Sequence, residues 1–563
     1  MSTLLGDDVK REIGQHFVVG FHGHELSGEV ISLIRDYYVG SIIIMKRNVK
    51  TIEQLRRLVQ KLQVTAKHSG HRQPLLIGID QENGLVSAFS SDAAGTQFPG
   101  AMALAATSSE DLAEEVTQAS AKEMRYAGIN WVFSPVADVN SEFRNPVIGV
   151  RSFSGDPETV GNFSAAVARG LTSAGIAPCA KHFPGHGDTH IDSHLSLPRI
   201  MKTEESLSST EIVPFRTLIA QYVATIMTGH IALPLITSSE TPSSLSYSIT
   251  TNLLRNELGF SGVVVTDCLE MEAVATEYGT EGGAVKALQA GADIAMICHR
   301  FDRQCGAIEA AYAALVSKTI SLEALQESGK RISSLKLRFA GTWDEVLGDQ
   351  EMPEEELANM KRENELLSKR AYAASIAWIK GGEMFEPIQP RDIVVIFTPK
   401  MERINLVVDD HEEVLLTSGG QIRNTAGPSY LAFAESISKR AGSSHHIIYG
   451  PDDTDKGDSF GAVLDSSTRI IFTTRNSYLS IWQIDYLRKL MTHNSKRAKP
   501  ALLTLVASCA PYDLMNANDL VFPCLCSFEF TIPALDAIAA ALFGETTVGG
   551  AVPCHEVLSS TCR

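Results

Sequence analysis

One fourteen-residue stretch carries a high density of side chains that can transfer protons. Residues 181–194 read KHFPGHGDTHIDSH and contain a lysine, two aspartates and four histidines spaced four residues apart. On a helix this spacing would place all four imidazoles on one face and indicate a metal site. Because Pro184, Gly185 and Gly187 disfavour a helix, the sequence instead predicts a polar loop after the apolar run at 176–180.

Within this loop, Asp192 lies two residues before His194. A carboxylate that accepts a hydrogen bond from an imidazole fixes its tautomer and stabilises the imidazolium, which suits a histidine for proton transfer near neutral pH. The pair is therefore a candidate proton donor and acceptor. The alternative interpretation is a solvated, histidine-rich loop without a chemical role.

The elements that must position this loop form a regular pattern. Short, apolar, β-branched segments alternate with longer amphipathic ones, each pair being typical of a strand followed by a helix. The predicted strands are Phe17–His22, Ser41–Met45, Leu75–Asp80, Trp131–Val136, Ile176–His182, Ala224–His230, Val263–Asp267 and Asp293–Cys298. Eight such units predict a (β/α)8 barrel of the TIM type, with a doubly wound α/β sheet as the competing fold.

Polar side chains at the strand ends favour the barrel. In a barrel, the carboxyl ends of all the strands converge on the face where active sites are built. Seven polar residues lie at or just after the predicted ends: His22, Asp80, Asp138, Lys181, His182, His230 and Asp267. At such a position Asp267 or Asp80 could act as a nucleophile, stabilise positive charge, or merely cap a helix. Arg151, in the loop after the fourth strand, could bind a polar ligand or form a structural salt bridge.

A second domain is predicted after the barrel. The segment 341–356 is acidic and loses its hydrophobic periodicity, and a helical pattern follows from 357 to 379. A further series of strands is predicted at Ile393–Phe397, His446–Tyr449, Ile470–Thr473 and Ala501–Ala507. We therefore expect a catalytic barrel over 1–340, a linker and connecting helix over 341–379, and a smaller α/β sandwich domain over 380–563.

Composition restricts the partners and the compartment. The chain has 66 acidic against 49 basic residues and a formal net charge of -17, which disfavours binding to nucleic acid and to anionic membranes. Its nine scattered cysteines fit reduced thiols better than a disulfide framework. The first residues do not resemble a secretory signal, and no apolar run is long enough to span a membrane. These features predict a soluble, cytoplasmic protein.

Several motifs in order resemble glycoside hydrolase family 3, and within it the N-acetyl-β-glucosaminidase subgroup. They are the KHFPGHG segment at 181–187, Asp192-Ser193-His194, and Gly259-Phe260-Ser261-Gly262 leading to Asp267. The resemblance extends from about Phe17 to His299. It implies a retaining, exo-acting β-N-acetylglucosaminidase of carbohydrate metabolism that needs no cofactor or metal ion.

The resemblance also implies roles for individual residues. Asp267 matches the family nucleophile, and Asp192 with His194 matches the Asp-His dyad that this subgroup uses as acid/base. Asp80, Arg151, Lys181 and His182 match residues that hold the sugar beside the scissile bond. A retaining mechanism needs a group that attacks the anomeric carbon and another that protonates the leaving oxygen and then deprotonates water, so these assignments are chemically consistent.

Two positions depart from the subgroup's pattern. The third-strand motif, usually Gly-Gly-Arg-Val, reads Asn83-Gly84-Leu85-Val86 here and lacks the cation. The position after the nucleophile, often a second aspartate, is Cys268. These departures concern contacts beyond the first sugar, so the aglycone could come from chitin, peptidoglycan or glycoprotein fragments.

Three other functions compete with hydrolysis. A β-N-acetylglucosaminide phosphorylase could use the same residues, because a neutral imidazole does not repel phosphate as a carboxylate would. A metal-dependent amidohydrolase could use His22, His24, Lys181, His182 and His230, although the eighth strand ends in Cys298-His299 without an aspartate. A non-catalytic sugar-binding module ranks last because both the nucleophile and the dyad are present. For the second domain we expect a structural or homo-oligomerising role.

Overall fold

The computed structural model describes residues 6–91, 93–189, 196–348, 352–400, 426–453, 461–514 and 519–553. The chain forms two compact units. The first comprises residues 1–97, 113–148 and 156–365, and the second comprises residues 98–112, 149–155 and 366–563.

The first unit is built on a closed barrel of eight parallel strands, as predicted. Its strands follow the order β1-β2-β3-β6-β7-β8-β9-β10, and β10 pairs with β1 to close the barrel. A small antiparallel hairpin, β4 with β5, follows the third barrel strand. In chain order the ten strands are β1 Phe17–Val19, β2 Ser41–Ile44, β3 Leu76–Ile79, β4 Gln81–Asn83, β5 Val86–Ser87, β6 Trp131–Val132, β7 Ala177–Phe183, β8 Thr225–Thr228, β9 Val263–Cys268 and β10 Ile294–Ile297.

Bulky side chains fill the barrel interior. Trp131, Phe133 and Met227 belong to one buried cluster, and the indole Nε1 of Trp131 donates a hydrogen bond to Thr225 Oγ1 at 2.9 Å. Gly78 on β3 leaves room for the ring of Phe133, because a Cβ atom there would lie 2.9 Å from it. A barrel packed in this way is a rigid core rather than a pore, and it fixes the positions of the strand ends.

Helices flank the barrel strands, and side-chain caps mark where several begin. Asp156 accepts a hydrogen bond from Thr159 N, and Thr51 accepts one from Gln54 N. The helices of this unit are Asp7–Gln15, Gly28–Arg35, Ile52–His68, Glu110–Tyr126, Pro157–Ser173, Glu204–Ser209, Ile212–Ala220, Pro234–Thr237, the π-helix Ser248–Glu257, Glu272–Ala290, Phe301–Val316, Leu322–Phe339 and Trp343–Leu347, with short 3-10 turns at Lys46–Asn48 and Ser243–Leu245.

The second unit contains a six-stranded sheet. Its order is β11-β16-β15-β14-β12-β13, in which every neighbouring pair is parallel except β11 with β16. The strands are β11 Ala377–Lys380, β12 Ile393–Pro399, β13 Ser443–Tyr449, β14 Arg469–Thr474, β15 Leu502–Ala507 and β16 Cys524–Cys526. Its helices are Ala101–Ala106, Gly427–Arg440, Gly461–Ser466, Trp482–Ser495 and Ile532–Leu542, with 3-10 turns at Gly149–Arg151, Gly382–Met384 and Pro451–Asp453. All four predicted strands of this region are confirmed.

The helix predicted over 357–379 ends earlier than expected. The helix Glu354–Ser375 is followed directly by β11, where Ala377 pairs with Cys526 and Trp378 with Leu525. The sequence Ala-Trp-Ile-Lys fits either a helix or a strand, and pairing with β16 decides in favour of the strand. No helix within the described ranges combines the length and the apolar character needed to cross a membrane.

Two short segments from the predicted barrel region belong to the second unit. Gly100 N donates to Glu529 Oε2 at 2.8 Å, and Ala551 N donates to Ala106 O at the same distance. Ser154 Oγ donates to Pro553 O at 2.6 Å. Segments 98–112 and 149–155 are therefore structural parts of the sheet-containing unit, although they precede its first strand by more than 200 residues.

Candidate active site

Lys181 lies between two carboxylates beyond the end of β3. Its Nζ atom is 2.7 Å from Asp80 Oδ1 and 2.7 Å from Glu82 Oε1. The lysine side chain is 3% exposed and that of Glu82 is 5% exposed, whereas that of Asp80 is 33% exposed. The ammonium thus neutralises a buried carboxylate on one side and holds an accessible carboxylate on the other, an arrangement suited to pairs of sugar hydroxyl groups.

His182, the next residue of β7, is fixed by a buried aspartate. Its Nδ1 atom is 2.7 Å from Oδ2 of Asp138, and its backbone N–H donates to Oδ1 at 3.1 Å. His186 N donates to the same Oδ1 atom at 2.7 Å. Burial disfavours the ionised form, but the charge and hydrogen bonds of His182 and the charge of His186 keep the pKa of Asp138 below its ordinary value. The ionised carboxylate fixes the proton of His182 on Nδ1 and directs Nε2 elsewhere.

Glycines allow the chain after β7 to pass close to its neighbours. Gly185 has a φ of +124°, and a Cβ atom there would lie 2.5 Å from Glu211 Cβ. At Gly187 a Cβ atom would lie 1.5 Å from the carbonyl oxygen of Val139. The peptide bonds Lys181–His182 and Phe183–Pro184 are cis. As predicted, the described part of the stretch, residues 181–189, is not helical.

An ion pair connects residues on either side of the predicted dyad, Asp188 before it and Lys202 after it. Lys202 Nζ lies 2.6 Å from Glu211 Oε1 and 3.6 Å from Asp188 Oδ2. Ser141 Oγ donates to Glu211 Oε1 at 2.9 Å. Burial raises the pKa of Glu211, while the nearby Lys202 counteracts that rise. Asp192 and His194 themselves lie outside the described residues, so their proposed roles stay predictions.

Asp267 lies near the end of β9, where its side chain is partly exposed. Its Oδ1 atom accepts a hydrogen bond from Cys268 N at 2.7 Å. The pKa of the Cys179 thiol is raised to about 12, chiefly by burial and also by the charges of Asp80 and Asp267, while the hydrogen bond with Thr225 and the charge of Lys181 act against the rise. Asp80 directly follows β3, Lys181 lies near the end of β7 and Asp267 near the end of β9, so all three lie at the carboxyl-terminal face of the barrel.

Arg151 lies on the 3-10 turn Gly149–Arg151, which belongs to the second compact unit, and its side chain is buried. Its predicted sugar contact stays a prediction.

Sequence reasoning did not assign functions to Glu82 or Asp138. The sequence did mark Asp138 as a candidate, since it follows the fourth predicted strand. It did not mark Glu82, because the pairing of Glu82 with Lys181 depends on a hairpin that was not predicted.

Two histidines of the amidohydrolase hypothesis, His22 and His230, form hydrogen bonds with other protein groups. His230 Nε2 donates to the carbonyl of Cys268 at 2.9 Å, and its Nδ1 atom lies 2.8 Å from Ser244 Oγ. His22 Nε2 donates to His299 O at 3.2 Å. Among the residues that the structure describes, the one group of three potential ligands with mutually close ligand atoms is Cys268, Cys298 and His299. The predicted set around His22, His24, His182 and His230 does not form such a group.

A family model supplies the deciding comparison. The model of the glycosyl hydrolase family 3 N-terminal domain matches residues 8–335. The chain belongs to glycosyl hydrolase family 3. The family assignment agrees with the barrel and with the order of the motifs.

Several known proteins are similar to the chain over different lengths. It is 36% identical over 337 residues to β-hexosaminidase A of Pseudoalteromonas piscicida, a match that spans 56% of each chain. A structure of a β-N-acetylglucosaminidase from Paenibacillus sp. FPU-7 has a TM-score of 0.82 at 31% identity and covers 97% of this chain and 98% of that one. A fungal multi-domain β-N-acetylglucosaminidase with a GCN5-related glucosamine N-acetyltransferase region has a TM-score of 0.84 at 34% identity, covering 97% of this chain and 60% of that one. The chain thus spans little more than half of some relatives.

Proposed function

We propose that this family 3 protein is a retaining, exo-acting β-N-acetylglucosaminidase that removes terminal β-linked N-acetylglucosamine. The observation that carries the proposal is that Asp80, Lys181 and Asp267 lie at the carboxyl ends of strands of one closed parallel barrel, with Lys181 Nζ 2.7 Å from Asp80 Oδ1. The relatives support the sugar specificity, since their names describe a β-hexosaminidase and β-N-acetylglucosaminidases.

In the first step, a carboxylate oxygen of Asp267 attacks the anomeric carbon. The bond to the aglycone oxygen breaks, and His194, oriented by Asp192, donates a proton to that oxygen. In the second step His194 removes a proton from water, which attacks the same carbon and releases Asp267. Two inversions give net retention of configuration.

The groups around Lys181 hold the sugar in this proposal. Asp80 accepts hydrogen bonds from sugar hydroxyl groups, and Lys181 donates to them while neutralising Glu82. His182 presents Nε2 to the sugar because Asp138 occupies Nδ1. Arg151 is proposed as a further sugar contact. A carbohydrate is the expected ligand, and neither a metal ion nor a cofactor takes part.

The first experiment measures turnover of 4-nitrophenyl N-acetyl-β-glucosaminide and of the corresponding glucoside. We expect the N-acetylated substrate to be preferred and Asp267→Ala to lower kcat/KM by at least about 10³-fold. His194→Ala should cost about 10²–10⁴-fold with an unactivated aglycone such as that of chitobiose. The loss should be smaller with 4-nitrophenol, which leaves readily without a proton. Equal losses with both aglycones would contradict the role of His194 as the acid.

Two further measurements test the intermediate and the acceptor. A 2-fluoro sugar with a good leaving group should label Asp267, and a label on another residue would contradict the proposed nucleophile. In phosphate buffer, a hydrolase releases free N-acetylglucosamine, whereas the competing phosphorylase would release the sugar 1-phosphate with the same variants inactive. The product therefore decides between the two acceptors.

A further inference from the structure

A cluster of thiols and an imidazole lies beside Asp267 and is not used by the proposed mechanism. Cys268 ends β9, and Cys298 and His299 directly follow β10. The two strands are parallel neighbours in the barrel, and Met296 is paired with Cys268. The barrel register therefore places two cysteines and a histidine at one point of the face that also carries Asp267.

The geometry of this cluster fits a metal ion. One potential ligand atom from each of Cys268, Cys298 and His299 lies within 4.8 Å of the other two. Tetrahedral zinc with Zn–S distances of about 2.3 Å and Zn–N distances of about 2.0 Å separates its ligands by about 3.5 to 3.8 Å. Small side-chain rotations therefore suffice to close the three atoms around one ion.

The burial of the three residues fits a site with an open position. Cys268 and Cys298 are 8% and 3% exposed, whereas His299 is exposed. The buried thiols offer soft ligands in a low-dielectric environment, and the exposed imidazole provides a route for the ion. Three protein ligands leave a fourth coordination position to water or to a group from the active site.

One acidic and one basic side chain, Glu270 and Arg47, contact the cluster. Glu270 Oε2 lies 3.8 Å from Cys268 Sγ and accepts the backbone N–H of His299. Arg47 opposes a cation, since its Nη1 lies 3.3 Å from His299 Nδ1. A bound divalent cation displaces the protons of both thiols, and the two resulting thiolates together with Glu270 then outweigh the single guanidinium.

We propose that Cys268, Cys298 and His299 bind a thiophilic divalent cation such as Zn²⁺ or Cd²⁺, and that the bound cation inhibits the enzyme. Inhibition follows because Cys268 adjoins Asp267 in the chain and its N–H contacts the Asp267 carboxylate. A cation that pulls on the Cys268 side chain displaces that carboxylate from the position needed for attack. The inhibition rests on the proposed function, but the binding does not.

Binding is tested with the reduced, full-length protein after treatment with a chelator and removal of that chelator. Titration with Cd²⁺ should produce an ultraviolet thiolate-to-cadmium charge-transfer band that saturates at one ion per chain. Cys298→Ser should abolish most of the band and weaken binding by at least about 100-fold. Cys305→Ser is the matched control, since Cys305 is a more accessible thiol outside the cluster, and it should bind like the wild type. Unchanged binding by Cys298→Ser, or binding without the band, would overturn the proposal.

His299→Gln provides a second variant at an exposed position, should the loss of a buried thiol prevent folding. It should weaken Cd²⁺ binding by about 10- to 100-fold while keeping a reduced band. Inhibition is measured with 4-nitrophenyl N-acetyl-β-glucosaminide. Cd²⁺ should inhibit the wild type and Cys305→Ser but not Cys298→Ser at the same concentration. Equal inhibition of Cys298→Ser would overturn the inhibitory role, whereas a bound ion in a protein without glycosidase activity would refute the proposed function alone.

Discussion

The Nδ1 atom of His182 lies 2.7 Å from Oδ2 of Asp138 in the interior of the barrel unit. The other oxygen of that carboxylate accepts two hydrogen bonds, from the backbone N–H groups of His182 and His186. One buried side chain therefore determines both the imidazole's tautomer and the path of the chain toward the predicted dyad.

Asp138→Asn should reduce activity without replacing any group that touches the sugar. The amide can present its NH₂ group to Nδ1 and thereby move the ring proton to Nε2. We expect kcat/KM to fall by about 10- to 100-fold, as for other residues that orient a functional histidine. Steady-state kinetics on the N-acetylated substrate would measure the loss. An unchanged kcat/KM in a folded variant would show that the orientation of His182 is unimportant.

The two carboxylates bound to Lys181 should differ in their effects. Asp80→Asn alters the accessible partner, so it should lower kcat/KM by about 10²-fold and leave the melting temperature nearly unchanged. Glu82→Gln alters the buried partner and should lower the melting temperature, with a smaller kinetic effect, because Lys181 loses a compensating charge. Thermal unfolding and kinetics on both variants test this contrast. A reversed pattern would assign sugar binding to Glu82.

Lys202→Met should impair catalysis through the segment of the chain that contains Asp192 and His194. The substitution removes the cation that contacts Asp188 and Glu211 at the two ends of this segment. We expect kcat to fall by about 10-fold while KM changes little, because the groups that hold the sugar are untouched. Lys330→Met removes an exposed lysine that pairs with Glu327 and serves as the control. Equal kcat values for the two variants would contradict the positioning role.

Replacing the buried Lys336 should stabilise the barrel unit at neutral and acidic pH. Burial lowers its pKa to about 7, whereas an unfolded lysine has a pKa near 10.5. Between these values the unfolded chain binds more protons, so the wild type gains stability as the pH rises from about 7 to about 10.5. Lys336→Met removes the cost of burying the charge and should add about 4 kcal/mol at pH 6 and little at pH 10.

Calorimetric unfolding at several pH values would measure this effect, with Lys330→Met as the control for losing a positive charge. The lost hydrogen bond from Lys336 Nζ to Gln15 Oε1 offsets part of the gain. A stability increase that is the same at pH 6 and pH 10 would mean that improved packing, not the charge, is responsible.

Asp513 should give the second unit the opposite pH dependence. Burial raises its pKa to about 7, so between about pH 4 and pH 7 the folded chain holds a proton that the unfolded chain has released. Stability therefore falls as the pH rises through this range, and the full cost remains above pH 7. Asp513→Asn should add about 4 kcal/mol at pH 8 and almost nothing near pH 4.

The amide can preserve the local hydrogen bonds of Asp513. Its oxygen can accept from Ser477 N and its NH₂ group can donate to Thr474 Oγ1, as a protonated carboxyl group would. Asp519→Asn, which alters an exposed partner of Arg488, is the control. A loss of stability at pH 8 in Asp513→Asn would show that the carboxylate is ionised and well solvated by its neighbours.

The barrel could be predicted from the sequence because the alternation of strand and helix patterns along the chain matches the order of elements in the fold. Each strand is a short β-branched run, and the polar residues that follow share one face in any parallel barrel. Residues whose roles depend on tertiary contacts were not predictable in this way. Glu82 joins Lys181 through a hairpin, and Cys268 meets Cys298 only because β9 and β10 are neighbours. The end of the helix at Ser375 was also missed, since β16 supplies the pairing that starts β11.

The segment at 98–112 can reach its final contacts only after the end of the chain has left the ribosome. Gly100 and its partner Glu529 are 429 positions apart, and Ala106 pairs with Ala551. Translation exposes the early segment long before its partners exist, so the short apolar helix Ala101–Ala106 stays unpaired until the last part of the sequence emerges. Nascent chains stalled before position 529 should therefore be cut by proteases within 98–112, whereas released full-length chains should resist.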